Sequence, residues 1–145
     1  MRTASMWACA AGLLWGMAIQ AAPQENLEAL ARQAREAMAG GRYPEAVRLY
    51  QQMVKELPSE PGARFNLAVA LDAADRPRDA LKNLELIQAA EAGNSQFWFL
   101  MGIEYQKLGQ PARAVDRLER AVKLAPANFD YRLELADAYL SLIHI

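Results

Sequence analysis

The sequence predicts an all-α fold in which antiparallel pairs of helices repeat along the chain and stack into a solenoid. One short motif occurs three times, as Tyr43–Val47, Pro77–Leu81 and Pro111–Val115, and its alanine recurs at a constant interval. Apolar residues on both sides of each alanine follow helical periodicity. Glycine and proline occupy matching places between these apolar segments. Together these observations predict two helices and one tight turn in every repeat.

Each predicted helix has one apolar face. After the motif alanine, apolar residues recur at the spacing of a single helical face: Tyr50, Leu84 and Leu118, then Met53, Ile87 and Ala121. Before the motif, a small residue recurs and another aligned residue follows it three positions later: Ala34 and Ala37, Ala68 and Leu71, Gly102 and Tyr105, Ala136 and Tyr139. The repeats therefore occupy residues 27–60, 61–94 and 95–128, and the first helix of a fourth occupies 129–139.

Turn-forming residues predict the helix ends. The two helices of a repeat are separated by Gly40–Gly41, Asp75–Pro77 and Gly109–Pro111. Glycine can adopt the left-handed conformation that ends a helix, and proline suits the first turn of the next helix. The repeats themselves end near Pro58, Ala92–Asn94 and Pro126.

The small residues predict where the two helices of a pair cross. Helices joined by a short turn approach to roughly 8–10 Å only if the side chains at the crossing are small. We therefore expect three close pairs: Ala34 with Ala46, Ala68 with Ala80, and Gly102 with Ala114.

This pattern resembles the tetratricopeptide repeat, whose signature runs Trp, Leu-Gly, Tyr, Ala, Phe or Tyr, Ala and Pro over about 34 residues. The third repeat matches best, with Trp98, Met101, Gly102, Tyr105, Gly109, Ala114, Leu118, Ala121 and Pro126. The first two repeats depart from the signature at the tryptophan position, where they carry Leu30 and Arg64. Pentatricopeptide RNA readers have a longer period and basic faces that this chain lacks.

The resemblance implies a right-handed α-solenoid over residues 23–139, with the first helix of each pair lining a concave groove. By similarity to the family, the groove residues would be Arg35, Phe65, Val69, Asp72, Phe99, Ile103, Gln106, Lys107, Leu133 and Asp137, together with Ala31 and Met38. The apolar ones suit an apolar peptide or one face of a partner's helix. In an alternative interpretation, they cover each other or are shielded by the N-terminal helix.

One function of the family is not predicted for this chain. Domains of this family that hold the carboxyl-terminal tails of heat-shock chaperones use a clamp of Lys, Asn, Asn, Lys and Arg. The matching positions here are Ala31, Arg35, Asn66, Gln96 and Leu100. Only the asparagine is retained, so the resemblance does not extend to that clamp.

Nothing in the sequence predicts catalysis, a metal site or a cofactor. The only histidine is His144 and the only cysteine is Cys9, and the chain has no glycine-rich phosphate loop. Its net charge of −1 offers no attraction to nucleic acid or to anionic lipid. Charged residues of the second helices are expected to form a solvated face with weak ion pairs: Arg113, Arg117, Glu119 and Arg120.

Residues 1–22 have the layout of a secretory signal peptide. Arg2 precedes an apolar run from Met6 to Ile19, and small residues follow at Ala21 and Ala22, where cleavage is expected. The run is too short to span a bilayer, which takes about 20 residues, so a retained anchor is the weaker interpretation. A lipoprotein linked through Cys9 fits poorly, because the cysteine comes too early. The leader predicts an exported bacterial protein, periplasmic or secreted, with no membrane insertion after cleavage.

The last residues do not resemble the end of a repeat array. Arrays normally finish with a helix whose outer face is polar, whereas residues 140–145 read Leu-Ser-Leu-Ile-His-Ile. This hexapeptide resembles the translation of a transposon-end sequencing adapter, and we expect it to be a non-native tail of a truncated gene. The sequence therefore predicts a protein–protein interaction scaffold in the cell envelope. The alternative is a docking arm of a longer exported enzyme or envelope-assembly protein.

Overall fold

The computed structural model describes residues 23–144, which form seven α-helices and no strand. They are α1 (Pro23–Ala39), α2 (Tyr43–Glu56), α3 (Pro61–Ala73), α4 (Pro77–Ile87), α5 (Ser95–Lys107), α6 (Pro111–Leu124) and α7 (Phe129–Ile143). Each helix packs mainly on its neighbours in the chain. We call α1, α3, α5 and α7 the first helices, and α2, α4 and α6 the second helices. The predicted helical solenoid is confirmed, whereas the predicted leader, residues 1–22, lies outside the described residues.

The three turns within the helix pairs share one geometry. Gly41, Asp75 and Gly109 occupy equivalent positions in successive repeats and have positive φ angles of 69°, 54° and 67°. The amide that follows each of them bonds back to the preceding helix, as Arg42 N–H does to the Ala37 carbonyl at 2.8 Å. This is the Schellman arrangement, which satisfies carbonyls at a helix end. Its recurrence reverses the chain in the same way three times.

The first helices after α1 begin with side-chain caps that recur once in every repeat. Asn94 accepts the amide of Phe97 at 3.3 Å, and Asn128 accepts the amide of Tyr131 at 3.2 Å. Glu60 caps α3 at the equivalent position. A cap of this kind satisfies an amide that has no partner within its own helix. The repeat therefore extends to helix starts as well as to packing positions.

The closest helix crossing lies in the third repeat. A Cβ added to Gly102 would come within 2.5 Å of Leu118 Cγ and 3.4 Å of the Ala114 carbonyl oxygen. Leu118 has no exposed surface, so its side chain has little room to move away. Glycine is therefore the residue that lets α5 and α6 approach this closely.

The core follows the aligned positions. The predicted crossing alanines are fully buried: Ala34, Ala46, Ala68, Ala80 and Ala114. The large second-helix residues are buried as well, including Tyr50, Leu84 and Leu118. In α7 the equivalent Ala136 is exposed, because no second helix covers it among residues 23–144.

Helix α7 continues to Ile143. It thus includes most of the segment 140–145 that the sequence marks as a non-native tail. Leu140 and Ile143 are 55% and 76% exposed. The non-native origin of this segment stays a prediction.

Candidate functional site

Three of the first helices, α3, α5 and α7, lie side by side and form one wall of the protein, which we call the inner wall. Helix α3 contacts α5 and α5 contacts α7, whereas no comparable contact joins α2 to α4 or α4 to α6 in the described part of the chain. Helices α3, α5 and α7 are therefore closer to one another than α4 is to α2 or to α6. This difference in spacing curves the stack so that the first helices lie on its inner side.

Apolar side chains run across this wall from helix to helix. Phe65 and Val69 on α3 are half-buried, as are Phe99 and Ile103 on α5. Leu133 on α7 is 56% exposed. We call these five residues the apolar strip.

The apolar strip is partly covered by its own neighbours. Phe99 stacks on Tyr131, with ring centroids 4.5 Å apart and an interplanar angle of 23°. Phe65, Val69 and Phe99 also pack against the core. The side chains thus shield one another to some extent, as the alternative interpretation expects. They still present half-buried apolar surface along the wall, and Leu133 presents more than half of its surface.

Polar contacts near the C-terminal ends of the first helices join the same helices. The Lys107 ammonium on α5 forms an ion pair with the Asp72 carboxylate on α3, and it lies 3.9 Å from Glu104 Oε1. Gln106 Nε2 donates a hydrogen bond to Asp137 Oδ2 on α7 at 3.3 Å. These contacts fix the spacing of α3, α5 and α7 at one edge of the apolar strip.

Glu104 is the one charged-type residue that is fully buried among the described residues. Neither of its carboxyl oxygens has a hydrogen-bond partner within residues 23–144. Burial, together with the neighbouring Asp72 carboxylate, raises the pKa of Glu104 to about 8 against the opposing effect of Lys107. At neutral pH most molecules therefore carry this side chain in its uncharged form.

Most of the predicted groove residues lie on α3, α5 and α7, and the structure brings several of them into contact. Asp72 meets Lys107, and Gln106 meets Asp137. Arg35 is different: it is exposed on α1, and no hydrogen bond or ion pair within the described range ties it to the others. Binding of a peptide by these residues stays a prediction.

The sequence interpretation missed Glu104. Its equivalents in the neighbouring repeats are Ala70 and Ala138, both fully buried. The sequence did contain a signal. Where the repeats before and after have alanine at the same position, the first helix is closely packed at that position. Glu104 is buried there, whereas Glu36, at the same position of α1, is exposed.

The predicted solvated face of α6 is wrong for one residue. The Arg117 side chain is only 21% exposed, and its guanidinium lies 5.6 Å from the Trp98 ring centroid and 5.9 Å from that of Tyr105. A cation over aromatic faces is stabilised by the ring quadrupole and buries its aliphatic stem. Helical spacing alone could not show that these rings reach the arginine.

The inner wall, as residues 23–144 form it, presents groups suited to non-covalent contact. It offers apolar surface and a few hydrogen-bonding groups. Within residues 23–144, no three His, Cys, Asp or Glu side chains converge as metal ligands would. None of the helices described there combines the length and the apolar character needed to cross a bilayer.

Comparison with known proteins gives one curated relative. The chain is 30% identical over 88 residues to the human protein O-mannosyl-transferase TMTC1, a match that covers 61% of this chain and 10% of that protein. The chain thus spans about a tenth of the length of this relative.

Solved structures show the same fold. The first TPR domain of Spaghetti (RPAP3), bound to the HSP90 peptide SRMEEVD, is 22% identical with a TM-score of 0.76, over 82% of this chain and 94% of that one. The second TPR domain of human RPAP3, in complex with the HSP70 peptide SGPTIEEVD, is 18% identical with a TM-score of 0.73, over 81% of this chain and 98% of that one. At these identities the likeness concerns the fold alone.

Two family models, both described as tetratricopeptide repeat, match the chain over residues 37–102 and 99–142. Their combined span contains α2 to α6 and almost all of α7, but only the last turn of α1. It also contains the three Schellman turns and the crossing at Gly102. The chain therefore carries tetratricopeptide repeats over residues 37–142.

Proposed function

We propose that this protein is a non-catalytic scaffold that binds an apolar segment of a partner protein, a peptide or one face of a helix, along its inner wall. The apolar strip supports this most directly, because its residues lie on three adjacent first helices and keep apolar surface accessible. Covering such surface contributes about 25 cal/mol for each Å² removed from water. Extended concave faces of this kind are what helical repeat arrays use for binding.

The ligand is apolar rather than acidic. The solved relatives bind peptides that end in Glu-Glu-Val-Asp, a tail that needs cations on the wall. Here Lys107 already pairs with Asp72, and Leu100, at a clamp position, is buried. Of the five clamp positions only Arg35 carries a positive charge. The wall therefore has little with which to hold two consecutive glutamates.

A peptide selection tests this proposal. Peptides of about a dozen residues, selected from a random library on the chain, are labelled and measured by fluorescence anisotropy against the parent and against Leu133→Glu and Phe99→Glu variants. We expect selected peptides to be apolar and to lose at least about tenfold in affinity for either variant, since a charge at the interface must be desolvated. Far-UV circular dichroism verifies that each variant is folded.

Leu124→Glu is the matched control, because Leu124 is an exposed leucine on a second helix. It should leave the affinity unchanged. Two results contradict the proposal: selected peptides that bind the Leu133→Glu and Phe99→Glu variants as well as the parent, or tight binding of the SRMEEVD peptide.

The compartment is part of the proposal. The layout of residues 1–22 supports export to the bacterial periplasm or beyond. Expression in a bacterial host followed by fractionation and N-terminal sequencing tests it. We expect a mature chain that begins at Ala22 or Pro23 in the periplasmic fraction. An intact leader in the cytoplasmic fraction would contradict export.

A second candidate function is that of a docking arm within a longer exported protein. Two observations favour it: the curated relative is about ten times longer than the matched segment, and α7 exposes apolar residues, among them Phe129, Leu140 and Ile143. Recovery of the locus from long sequencing reads distinguishes the two. An open reading frame that continues into a further domain supports the docking arm, and the same final codons followed by a stop contradict it.

A further inference from the structure

The third repeat contains a stack of aromatic rings and arginines on the side of α5 that faces α4 and α6. The Arg117 guanidinium lies within 6 Å of two ring centroids, 5.6 Å from that of Trp98 and 5.9 Å from that of Tyr105. The Arg120 guanidinium lies 4.7 Å from the Trp98 ring centroid, and that of Arg113 lies 5.7 Å from the Tyr105 centroid. These side chains fill the space between the two helices of the repeat and the one before it.

The second repeat has a pocket at the equivalent place. It measures about 290 Å³, and the residues equivalent to those of the stack, one repeat earlier in the chain, line it: Arg64 for Trp98, Leu71 for Tyr105, Asn83 for Arg117, Leu86 for Arg120 and Asp79 for Arg113. Smaller side chains replace both rings and all three arginines. A volume at the lower end of the usual range for ligand pockets suits a single side chain.

Arg64 preserves the tryptophan's hydrogen bond but not its bulk. Trp98 Nε1 donates to the Ala92 carbonyl at 2.9 Å, and Arg64 Nη2 donates to the Pro58 carbonyl at 3.4 Å. Ala92 and Pro58 are themselves equivalent positions of adjacent repeats. The guanidinium is thus directed to the carbonyl that terminates the preceding repeat, and the space that the indole ring fills in the third repeat is left open.

The floor of the pocket is apolar and its rim is positively charged. Leu67 and Leu71 are buried beneath it, and Leu86 beside it is 65% exposed. Of the charged groups at the rim, Arg76 is paired with Asp79 at 2.6 Å. That leaves Arg64 and Lys82 as an excess of two positive charges among the lining residues.

The third repeat has a smaller excess: the positions equivalent to this lining carry Arg113, Arg117 and Arg120 against Glu85 and Asp116, a net of one positive charge. At the position equivalent to Lys82 it has Asp116, whose carboxylate pairs with Arg117 and lies 3.9 Å from Arg120 Nε. The arginines of the stack therefore have an acidic partner within the repeat. Around the pocket of the second repeat, Arg64 and Lys82 have no acidic partner among the lining residues. The one acid in the lining, Asp79, is already paired with Arg76.

We propose that this pocket binds one aromatic side chain of indole size, from a partner segment in which acidic residues flank the aromatic one. The ring would cover Leu67, Leu71 and the exposed Leu86, as Trp98 covers the equivalent surface in the third repeat. Acidic neighbours would pair with Arg64 and Lys82 at the rim. The pocket shares no residue with the apolar strip, so it is a second contact site, independent of the proposed function of the inner wall.

Titration of the ¹⁵N-labelled chain with the tripeptide acetyl-Glu-Trp-Glu-amide tests the site by NMR. We expect shifts of the Leu67, Leu71 and Asn83 amides with a dissociation constant on the order of 1 mM, as suits one side chain. Acetyl-Lys-Trp-Lys-amide should bind at least about tenfold more weakly because of the charge, and acetyl-Glu-Ala-Glu-amide should not shift these amides.

The matched variant is Arg64→Trp, which places in the second repeat the residue that fills the third. It should abolish the tripeptide shifts while the urea midpoint stays at or above that of the parent, which excludes misfolding as the cause. A Leu133→Glu variant should bind the tripeptide as the parent does, whatever it does to inner-wall peptides. Unshifted pocket amides at about 10 mM tripeptide, equal binding of the lysine peptide, or full binding by Arg64→Trp would overturn the proposal.

Discussion

Raising the pH should destabilise the fold through a single buried carboxyl group, that of Glu104. Its pKa is raised from 4.5 to about 8 in the folded chain, because the side chain is fully buried and lies beside the Asp72 carboxylate. At a pH between 4.5 and about 8, the Glu104 carboxyl group is ionised in the unfolded chain and protonated in the folded chain. Protonated Glu104 therefore contributes fully to the stability of the fold at acidic pH, and this contribution is lost as the pH rises towards 8.

The magnitude follows from the shift. Each factor of ten in proton affinity corresponds to about 1.4 kcal/mol. Across the range from about pH 5 to about pH 8, the free energy of unfolding should fall by about 3–4 kcal/mol. That is a large part of the roughly 5–15 kcal/mol by which a typical domain is stable. The pKa of about 8 already includes the opposing effect of Lys107, 3.9 Å away.

Urea denaturation followed by far-UV circular dichroism measures this effect at intervals across the same pH range. The Glu104→Gln variant has nearly the same shape and cannot ionise, so its free energy of unfolding should be flat where that of the parent falls. Asp72→Asn should lower the pKa of Glu104 and move the fall to lower pH, since it removes a neighbouring negative charge and leaves Lys107 to Glu104. A His144→Asn variant excludes the only histidine as the source. A parent curve that is flat, or a Glu104→Gln curve that falls equally, would refute the reasoning.

Three further predictions concern the repeat geometry, and urea denaturation measures each as a change in the free energy of unfolding. Gly102→Ala should destabilise by about 1–2 kcal/mol, because overpacking against Leu118 costs more than alanine's better helix propensity gains; an increase in stability would show that the crossing can widen freely. Asp75→Gly should stabilise the fold by up to about 1 kcal/mol, since it removes the backbone strain of a non-glycine residue at a φ of 54°. Gly109→Ala at the equivalent turn should destabilise the fold. Effects of the same sign for both variants would be incompatible with strain at these turns. Asn94→Ala should cost about 1 kcal/mol through loss of the α5 cap, and no change would mean that water replaces the cap without loss.

The sequence was sufficient for the parts of the fold that the repeat determines. Each predicted turn within a helix pair contains a positive-φ residue at the same register, and the aligned alanines of the three complete repeats are buried. These positions are readable because a close crossing accepts only small residues and a Schellman turn favours glycine. At Asp75 the backbone has the same positive-φ conformation although the residue is not glycine. The repeat therefore determines the turn even where glycine is absent.

The side-chain contacts between repeats could not be predicted in this way. Glu104 meets Lys107 within one helix, but the approach of α3 with Asp72 adds to the rise of its pKa. Arg117 lies between two rings contributed by the adjacent helix. Such contacts depend on how far long side chains extend across helix boundaries, and periodicity contains no information about that distance. The accessible surface of the apolar strip depends on it too, through the stack of Phe99 on Tyr131.

Differences between repeats arise because the residues that determine the backbone geometry are not the ones that make the side-chain contacts between repeats. The second and third repeats have equivalent turns at Asp75 and Gly109 and equivalent hydrogen bonds from Arg64 and Trp98. Because the backbone conditions are met by turns, caps and small crossing residues, the remaining positions are free to vary without loss of the array. A ring in one repeat can then become a pocket in the next while the helices keep their places. In a solenoid, where each repeat contacts only its neighbours, this freedom lets separate sites arise along one chain, here the inner wall on the first helices and the pocket beside Arg64.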